Sequence, residues 1–239
     1  MKDIHCHILY GIDDGASTIE EAIEILKKAQ NEGITDIVLT PHYIKDTKYN
    51  VNNREKKKLL TILNKKKKEE NININLYLGN EVMIDKDVLE LIKKGEIRCI
   101  NNTRYLLIEF SLRNESIINE NIIFDLVRHG IVPILAHPER YIYFQKNINE
   151  ILKYVELGAL LQGNYQSLLG KYGRNAKKVL TKLLKNKSIS FLASDILKSK
   201  LEYNLDKLNK KLKRIVKDDN YIKEILEDNF DKVINNIEI

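Results

Sequence analysis

The sequence predicts an α/β protein built on parallel strands, and three observations carry that prediction. Short apolar, β-branched runs alternate with longer segments of helical spacing, the alternation supplies seven strands, and no linker or low-complexity stretch divides it. The most economical closed form is a barrel related to the (β/α)₈ type, and a doubly wound open sheet shares the same local pattern. A chain of 239 residues can bury one large core. Residues 1–239 are read as a single domain that closes with helices over about 200–235.

Taken in order, residues 3–9 read as the first strand, whose alternation sends His5 and His7 to one face and Cys6 to the other. Ser17 with Glu20 reads as a capping box, opening a helix over about 18–32 that runs up to Gly33. Asp36 to His42 is a second strand stopped by Pro41, which leaves His42 just past its end. A very basic helix over 52–70 leads to a third strand at 74–78, which passes through Gly79 and Asn80 to Glu81. After a short helix at 86–94, strand 105–110 carries Glu109 in its apolar end, where an unpaired charge is expensive.

The helical pattern at 117–128 precedes the strand from Val132 to Ala136, which ends at His137, and it resumes at 147–157. A sixth strand is placed at 159–162, followed by a loop at 164–173 and a helix to about 186. The seventh strand, 188–195, ends at Asp195. Two helices follow, with apolar spacing at Leu201, Leu205, Leu208, Leu212 and Ile215, then at Ile222, Ile225, Leu226, Phe230 and Val233.

The net charge of +6 comes from Lys-rich segments that read as solvated helix faces. No groove-reading motif accompanies them, so no nucleic-acid partner is expected. Cys6 and Cys99 form no disulfide framework and no Cys-x-x-Cys pair. The N-terminus lacks the apolar core of a signal peptide, and no apolar run approaches ~18 residues. These features imply a cytoplasmic protein without stable membrane insertion.

His5 and His7, His42, Glu81, Glu109, His137 and Asp195 fall within or just after the ends of separate predicted strands, where α/β barrels build their sites. Only the sixth strand contributes none. The set is nitrogen and oxygen without thiolate, which suits Mn²⁺, Fe²⁺ or Zn²⁺, and carboxylates able to bridge imply more than one ion. A cysteine phosphatase is excluded by spacing. Cys99 and Arg104 have four intervening residues where that class needs five, and no Gly-rich cradle is present.

The motifs Asp3-Ile-His-Cys-His-Ile, Gly11-Ile-Asp-Asp-Gly15, Thr40-Pro-His42, Gly79-Asn-Glu81, Leu107-Ile-Glu-Phe110, Ala136-His-Pro-Glu-Arg-Tyr141, Ser167-Leu-Leu-Gly170 and Ala193-Ser-Asp195 resemble the polymerase-and-histidinol-phosphatase (PHP) superfamily. Within it, their combination is most similar to bacterial tyrosine-protein phosphatases of the CpsB/CapC type. That resemblance implies a distorted seven-stranded barrel and a manganese-dependent trinuclear site that removes phosphate from tyrosine. It implies His5, His7, Asp14, His42, Glu81, Glu109, His137 and Asp195 as metal ligands, with Asp13 behind them, and Arg140 as the arginine that binds substrate phosphate. It further implies a tyrosine kinase of capsule or exopolysaccharide assembly as partner. A histidinol-phosphate-like small-molecule phosphatase uses the same chemistry, and a kinase-binding scaffold that has lost catalysis is the non-enzymatic alternative.

The chain departs from the family after Asp195. A histidine is expected two residues on, where Leu197 stands, and a second arginine is missing, for which Lys198 or Lys200 offers charge without the bidentate fork. One ion would keep His5, His7, Glu81 and Asp195, a second Glu81, Glu109 and His137, and the third only Asp14, His42 and water. Leu197→His is therefore expected to tighten the third ion and strengthen Mn²⁺-titrated phosphotyrosine hydrolysis. Metal analysis after extensive dialysis checks it, and three tightly held ions in the unaltered chain would assign the missing donor elsewhere.

Overall fold

The computed structural model describes residues 1–200 and 203–239, so the predicted role of Leu201 lies outside the described residues. The strands form two parallel sheets. β1 (Asp3–Cys6), β2 (Asp36–Leu39) and β4 (Asn75–Leu78) make the first, in the order β1-β2-β4. The second contains β3 (His42–Tyr43), β5 (Glu81–Met83), β6 (Tyr105–Glu109), β7 (Val132–Ala136), β8 (Leu160–Asn164) and β9 (Phe191–Ala193), in the order β3-β5-β6-β7-β8-β9.

Among the described residues the seven expected strands become nine segments because two of them break. Pro41, which has no N–H to donate, separates β2 from β3, and Gly79–Asn80 separates β4 from β5. Hydrogen bonds span both breaks, from Gly79 N to Leu39 O at 2.9 Å and from Glu81 N to Pro41 O at 3.2 Å. The first and last strands also meet. Asp195 N donates to His5 O and His7 N to Ile196 O, each at 2.9 Å. Buried Asp3 accepts from Ser194 N at 3.0 Å and from the Ser194 hydroxyl.

Between β1 and β2, Asp3 pairs with Ile37 and Cys6 with Leu39, so the span on β1 is one residue longer. Such a bulge shifts the alternation of a strand. Ile4 therefore packs in the inner cluster with Val38, Leu107 and Ile134, while His5 and His7 still face the same end of the fold. Phe230 and Val233 close that inner cluster from the far side. A second cluster lies between strands and helices, holding Cys6, Leu106, Ile108 and Leu135 with Leu26 and Leu180.

The helices are α1 (Ile19–Asn31), α2 (Asn53–Glu69), α3 (Val88–Lys93), α4 (Asn119–Arg128), α5 (Ile142–Lys146), α6 (Asn149–Glu156), α7 (Tyr165–Leu169), α8 (Gly173–Lys185), α9 (Leu205–Ile215), α10 (Asp219–Lys223) and α11 (Asn229–Ile234). A π turn at residues 224–228 joins α10 to α11. The cap of α1 lies one residue later than predicted: Thr18 Oγ1 accepts from Glu21 N at 3.2 Å, and Glu21 Oε2 accepts from Ser17 N at 2.8 Å. The expected loop at 164–173 contains α7, because Asn164 caps Gln166 N at 3.0 Å and Gly170 ends the turn at φ +102°. No helix among the described residues is long and apolar enough to cross a membrane.

Lys56 of α2 is buried, 1% exposed, with Nζ donating to Asn80 Oδ1 at 2.8 Å. Burial, aided by the charge of Arg98, lowers its pKa from 10.5 to about 7. Between those values the folded chain binds fewer protons than the unfolded one, so this group makes stability rise with pH across that window. Lys56→Met should flatten that rise, as measured by urea unfolding at several pH values. An unchanged slope would show that Lys56 titrates normally.

Candidate metal centre

Each strand delivers its polar group to one end of the fold by running out of apolar alternation. On β6, Leu107 faces the inner cluster, Ile108 the helices and Glu109 the pocket. His137 and Asp195 leave β7 and β9 with φ of 37° and 49°. That left-handed turn costs a non-glycine residue on the order of 1 kcal/mol and redirects the side chain at a functional position.

Two rings are fixed from behind. His5 Nδ1 lies 2.7 Å from Gln162 Oε1, and His7 Nδ1 lies 2.8 Å from Asp13 Oδ2. With Nδ1–H donating to these acceptors, both Nε2 atoms turn inward, 3.1 Å from each other and each 3.2 Å from Glu81 Oε2. Asp195 Oδ1 lies 3.6 Å from His5 Nε2 and 3.4 Å from His7 Nε2. Glu81 also reaches the other two imidazoles, with Oε2 3.1 Å from His42 Nδ1 and Oε1 2.9 Å from His137 Nε2. Glu109 Oε1 sits 3.0 Å from His42 Nδ1, and Asp14, at the exposed rim, 3.5 Å from His42 Nε2.

The electrostatics match that crowding. Burial opposes ionisation of Glu81 and Asp195, but the facing imidazoles hold both carboxyls well below their usual range. Conversely, burial opposes protonation of His42, yet Glu81 and Glu109 raise it to about 9. His5 and His7 are raised by their carboxylate neighbours against the same burial. The pocket thus holds positive charge strongly, either as protons on the rings or as a cation between them. The donor set fits a cation. His5, His7 and Glu81, then His7, Asp14 and His42, then His42, Glu81 and Glu109 each bring one donor atom within 4.8 Å of one another.

All eight candidate ligands therefore meet at one mouth. The group around Asp14 and His42 also gains the His7 ring, a donor that the sequence did not assign to it. Arg140 lies beside them, with Nη1 donating to Asp195 Oδ2 at 2.6 Å and its guanidinium carbon 4.3 Å from the Tyr172 ring centre. Lys198 does not face the pocket, because its ammonium binds Gly15 O and, at 2.7 Å, Ser17 Oγ. Cys6 points to Val38 O at 3.3 Å, away from the pocket. Burial pushes its thiol far up, and that of Cys99 to about 11, so neither is a thiolate nucleophile.

The sequence reading missed Gln162 and Asn164. Both lie on β8, the strand expected to contribute nothing, and Asn164 Nδ2 donates to Asp195 Oδ2 at 2.9 Å. Their signal was present as two polar residues at the end of a buried strand. Glu139 completes the support. Its Oε1 accepts from Ser167 Oγ at 2.6 Å and Asn164 N at 3.0 Å, tying the His-Pro-Glu-Arg turn to α7.

Fold and site together define a parallel α/β protein with a histidine–carboxylate pocket at the carboxyl ends of its strands. The chain belongs to the CpsB/CapC family of capsular polysaccharide synthesis, whose profile matches residues 1–235. It is 41% identical over 195 residues to CapC of Staphylococcus aureus, covering 82% of this chain and 76% of that protein. It is 34% identical to YwqE of Bacillus subtilis (strain 168), a tyrosine-protein phosphatase, with the same coverage. The crystal structures of YwqE from Bacillus subtilis and CpsB from Streptococcus pneumoniae, metal-dependent tyrosine phosphatases, provide a match with TM-score 0.90. That match has 28% identity over 100% of this chain and 96% of the other. Histidinol phosphate phosphatase from Lactococcus lactis shares the fold alone, at TM-score 0.59 and 14% identity over 90% of this chain and 92% of that one.

Gly15 tests how far the pocket depends on its loop. A Cβ there would lie 2.0 Å from His7 O, 2.5 Å from His7 Cβ and 2.8 Å from Asp13 Oδ1, so Gly15→Ala must displace His7 together with the carboxylate that orients it. Metal affinity should fall about 10- to 100-fold, as for other lost supports behind a ligand, with the fold retained. Calorimetric Mn²⁺ titration and circular dichroism check this, and unchanged affinity would show that the pocket does not depend on the close approach of this loop to His7.

Proposed function

We propose that the chain is a metal-dependent protein-tyrosine phosphatase acting on a phosphotyrosine protein, and that the partner is a bacterial tyrosine kinase of capsule or exopolysaccharide assembly. The single observation that carries this reading is the convergence of His5 Nε2, His7 Nε2, Glu81 Oε2 and Asp195 Oδ1, with Arg140 bonded to that same aspartate. Family membership and the likeness to metal-dependent tyrosine phosphatases support it. Residues 1–239 are read as one cytoplasmic domain that closes with its C-terminal helices over about 200–235. The hydrogen bonds spanning both strand breaks and the β1–β9 meeting support a distorted barrel of seven staves, of the PHP type.

In this reading His5, His7, Asp14, His42, Glu81, Glu109, His137 and Asp195 hold two or three Mn²⁺ ions, with Fe²⁺ or Zn²⁺ compatible with the same donors. Divalent ions there supply Lewis acidity and lower the pKa of water at neutral pH. Gln162 and Asp13 keep the ring lone pairs of His5 and His7 directed into the pocket. Arg140 binds and orients the phosphoryl group, its plane held by Tyr172 and one nitrogen anchored on Asp195, leaving other N–H donors for phosphate oxygens. The departing phenol ionises near pH ~10, far below an alkyl alcohol, so a dedicated general acid is dispensable.

Purified protein supplied with Mn²⁺ should hydrolyse a phosphotyrosine peptide, lose the activity on chelation and keep it after thiol alkylation. Arg140→Lys keeps charge but loses the bidentate fork, so kcat/KM should fall at least about tenfold with thermal stability little changed. Inactivity of Cys99→Ser, or unchanged kinetics in Arg140→Lys, would overturn the reading.

A further inference from the structure

The Ser167–Gly170 motif and the residues just after it have no part in the reading above beyond Ser167 holding Glu139 and Tyr172 holding Arg140. Gly170 and Gly173 both adopt positive φ, +102° and +88°, and between them the chain presents Lys171 and Tyr172. The turn is held at its base by Lys171 N donating to Gln166 O at 3.0 Å. Lys171 Nζ lies 5.2 Å from the centre of the Tyr172 ring, the same ring over which the Arg140 guanidinium lies at 4.3 Å. Two cations therefore share one aromatic ring at the edge of the pocket. Arg140 is anchored on Asp195, whereas Lys171 has no ion-pair partner within 4.0 Å among the described residues.

We infer that Lys171 is a second phosphate-binding cation of this site, reaching the phosphoryl oxygens beside Arg140 from the Gly170–Gly173 turn. Lys198 does not compete for that role, since its ammonium is spent on Gly15 and Ser17. Burial lowers the Lys171 pKa, with the Asp195 charge raising and the Arg140 charge lowering it, which is consistent with an ammonium that senses both groups. A dianionic phosphoryl group arriving between Arg140 and Lys171 relieves the repulsion between them and gains charge-assisted hydrogen bonds from both. A lysine here supplies charge on a flexible stem without fixing orientation, which Arg140 already does.

The assignment rests on the phosphatase reading for its substrate but is tested apart from it. Full-length wild type, Lys171→Met, Lys171→Arg and, as a control on the exposed face of α8, Lys178→Met are loaded with Mn²⁺. Binding of inorganic phosphate is measured by calorimetry, and KM and phosphate inhibition with a phosphotyrosine peptide. Lys171→Met should weaken phosphate binding about tenfold, the worth of one charge-assisted hydrogen bond, and raise KM more than it lowers kcat. Lys171→Arg should restore both, Lys178→Met should match wild type, and the difference should shrink at high salt. Equal phosphate affinity in wild type and a folded Lys171→Met would overturn the assignment, as would absence of phosphate binding in wild type. If wild type binds phosphate but hydrolyses no phosphotyrosine, the phosphatase reading fails while the calorimetry still decides Lys171.

Discussion

Glu81 is the group on which the rest of the pocket depends. It is 1% exposed, and a carboxylate so far from water must be paired or its ionisation becomes prohibitively costly. Its two oxygens reach four imidazoles, from His5, His7, His42 and His137, which come from three different strand paths, β1, β3 and β7. The break between β4 and β5 places it there. Asn80 secures that break by donating to Pro41 O at 3.0 Å while accepting from Lys56, so Glu81 and His42 are positioned by one shared amide.

Much of this architecture was legible in the sequence because its signals are local. A strand that ends in His, Glu or Asp after an apolar run declares both its direction and its polar end, as with Glu109, His137 and Asp195. What escaped depends on tertiary partners. Gln162 and Asn164 are uncharged, and neither marks a site until His5 and Asp195 are found beside them. Helix α7 has only five residues, too few for a periodic signal, and exists because Asn164 caps it and Gly170 ends it. The β1 bulge is invisible locally, since only the pairing with β2 shows the extra residue.

Supports behind the ligands come mostly from residues whose backbone or side chain also closes the fold. Asp13 accepts from His7 Nδ1, from Gly15 N at 2.9 Å and from His42 N at 3.1 Å, so one carboxylate ties together a loop, the His7 ring and the backbone at His42. Lys198 fastens the same loop from the other end of the chain. The stretch after Asp195 is thus bound into the structure through the loop that carries Asp14.

The meeting of β1 with β9 has a consequence for the order of events during synthesis. His5 and His7 leave the ribosome well before their backbone partners Asp195 and Ile196, which emerge about ten seconds or more later at ordinary elongation rates. Lys2 N waits longer still, for Leu226 O at 2.9 Å. Contacts so distant in sequence are slow to form, because the loop they close must first be ordered. A nascent chain therefore keeps the His5–His7 strand unpaired on its β9 side until residues 191–196 emerge, and the complete histidine–carboxylate pocket is a property of the finished molecule alone.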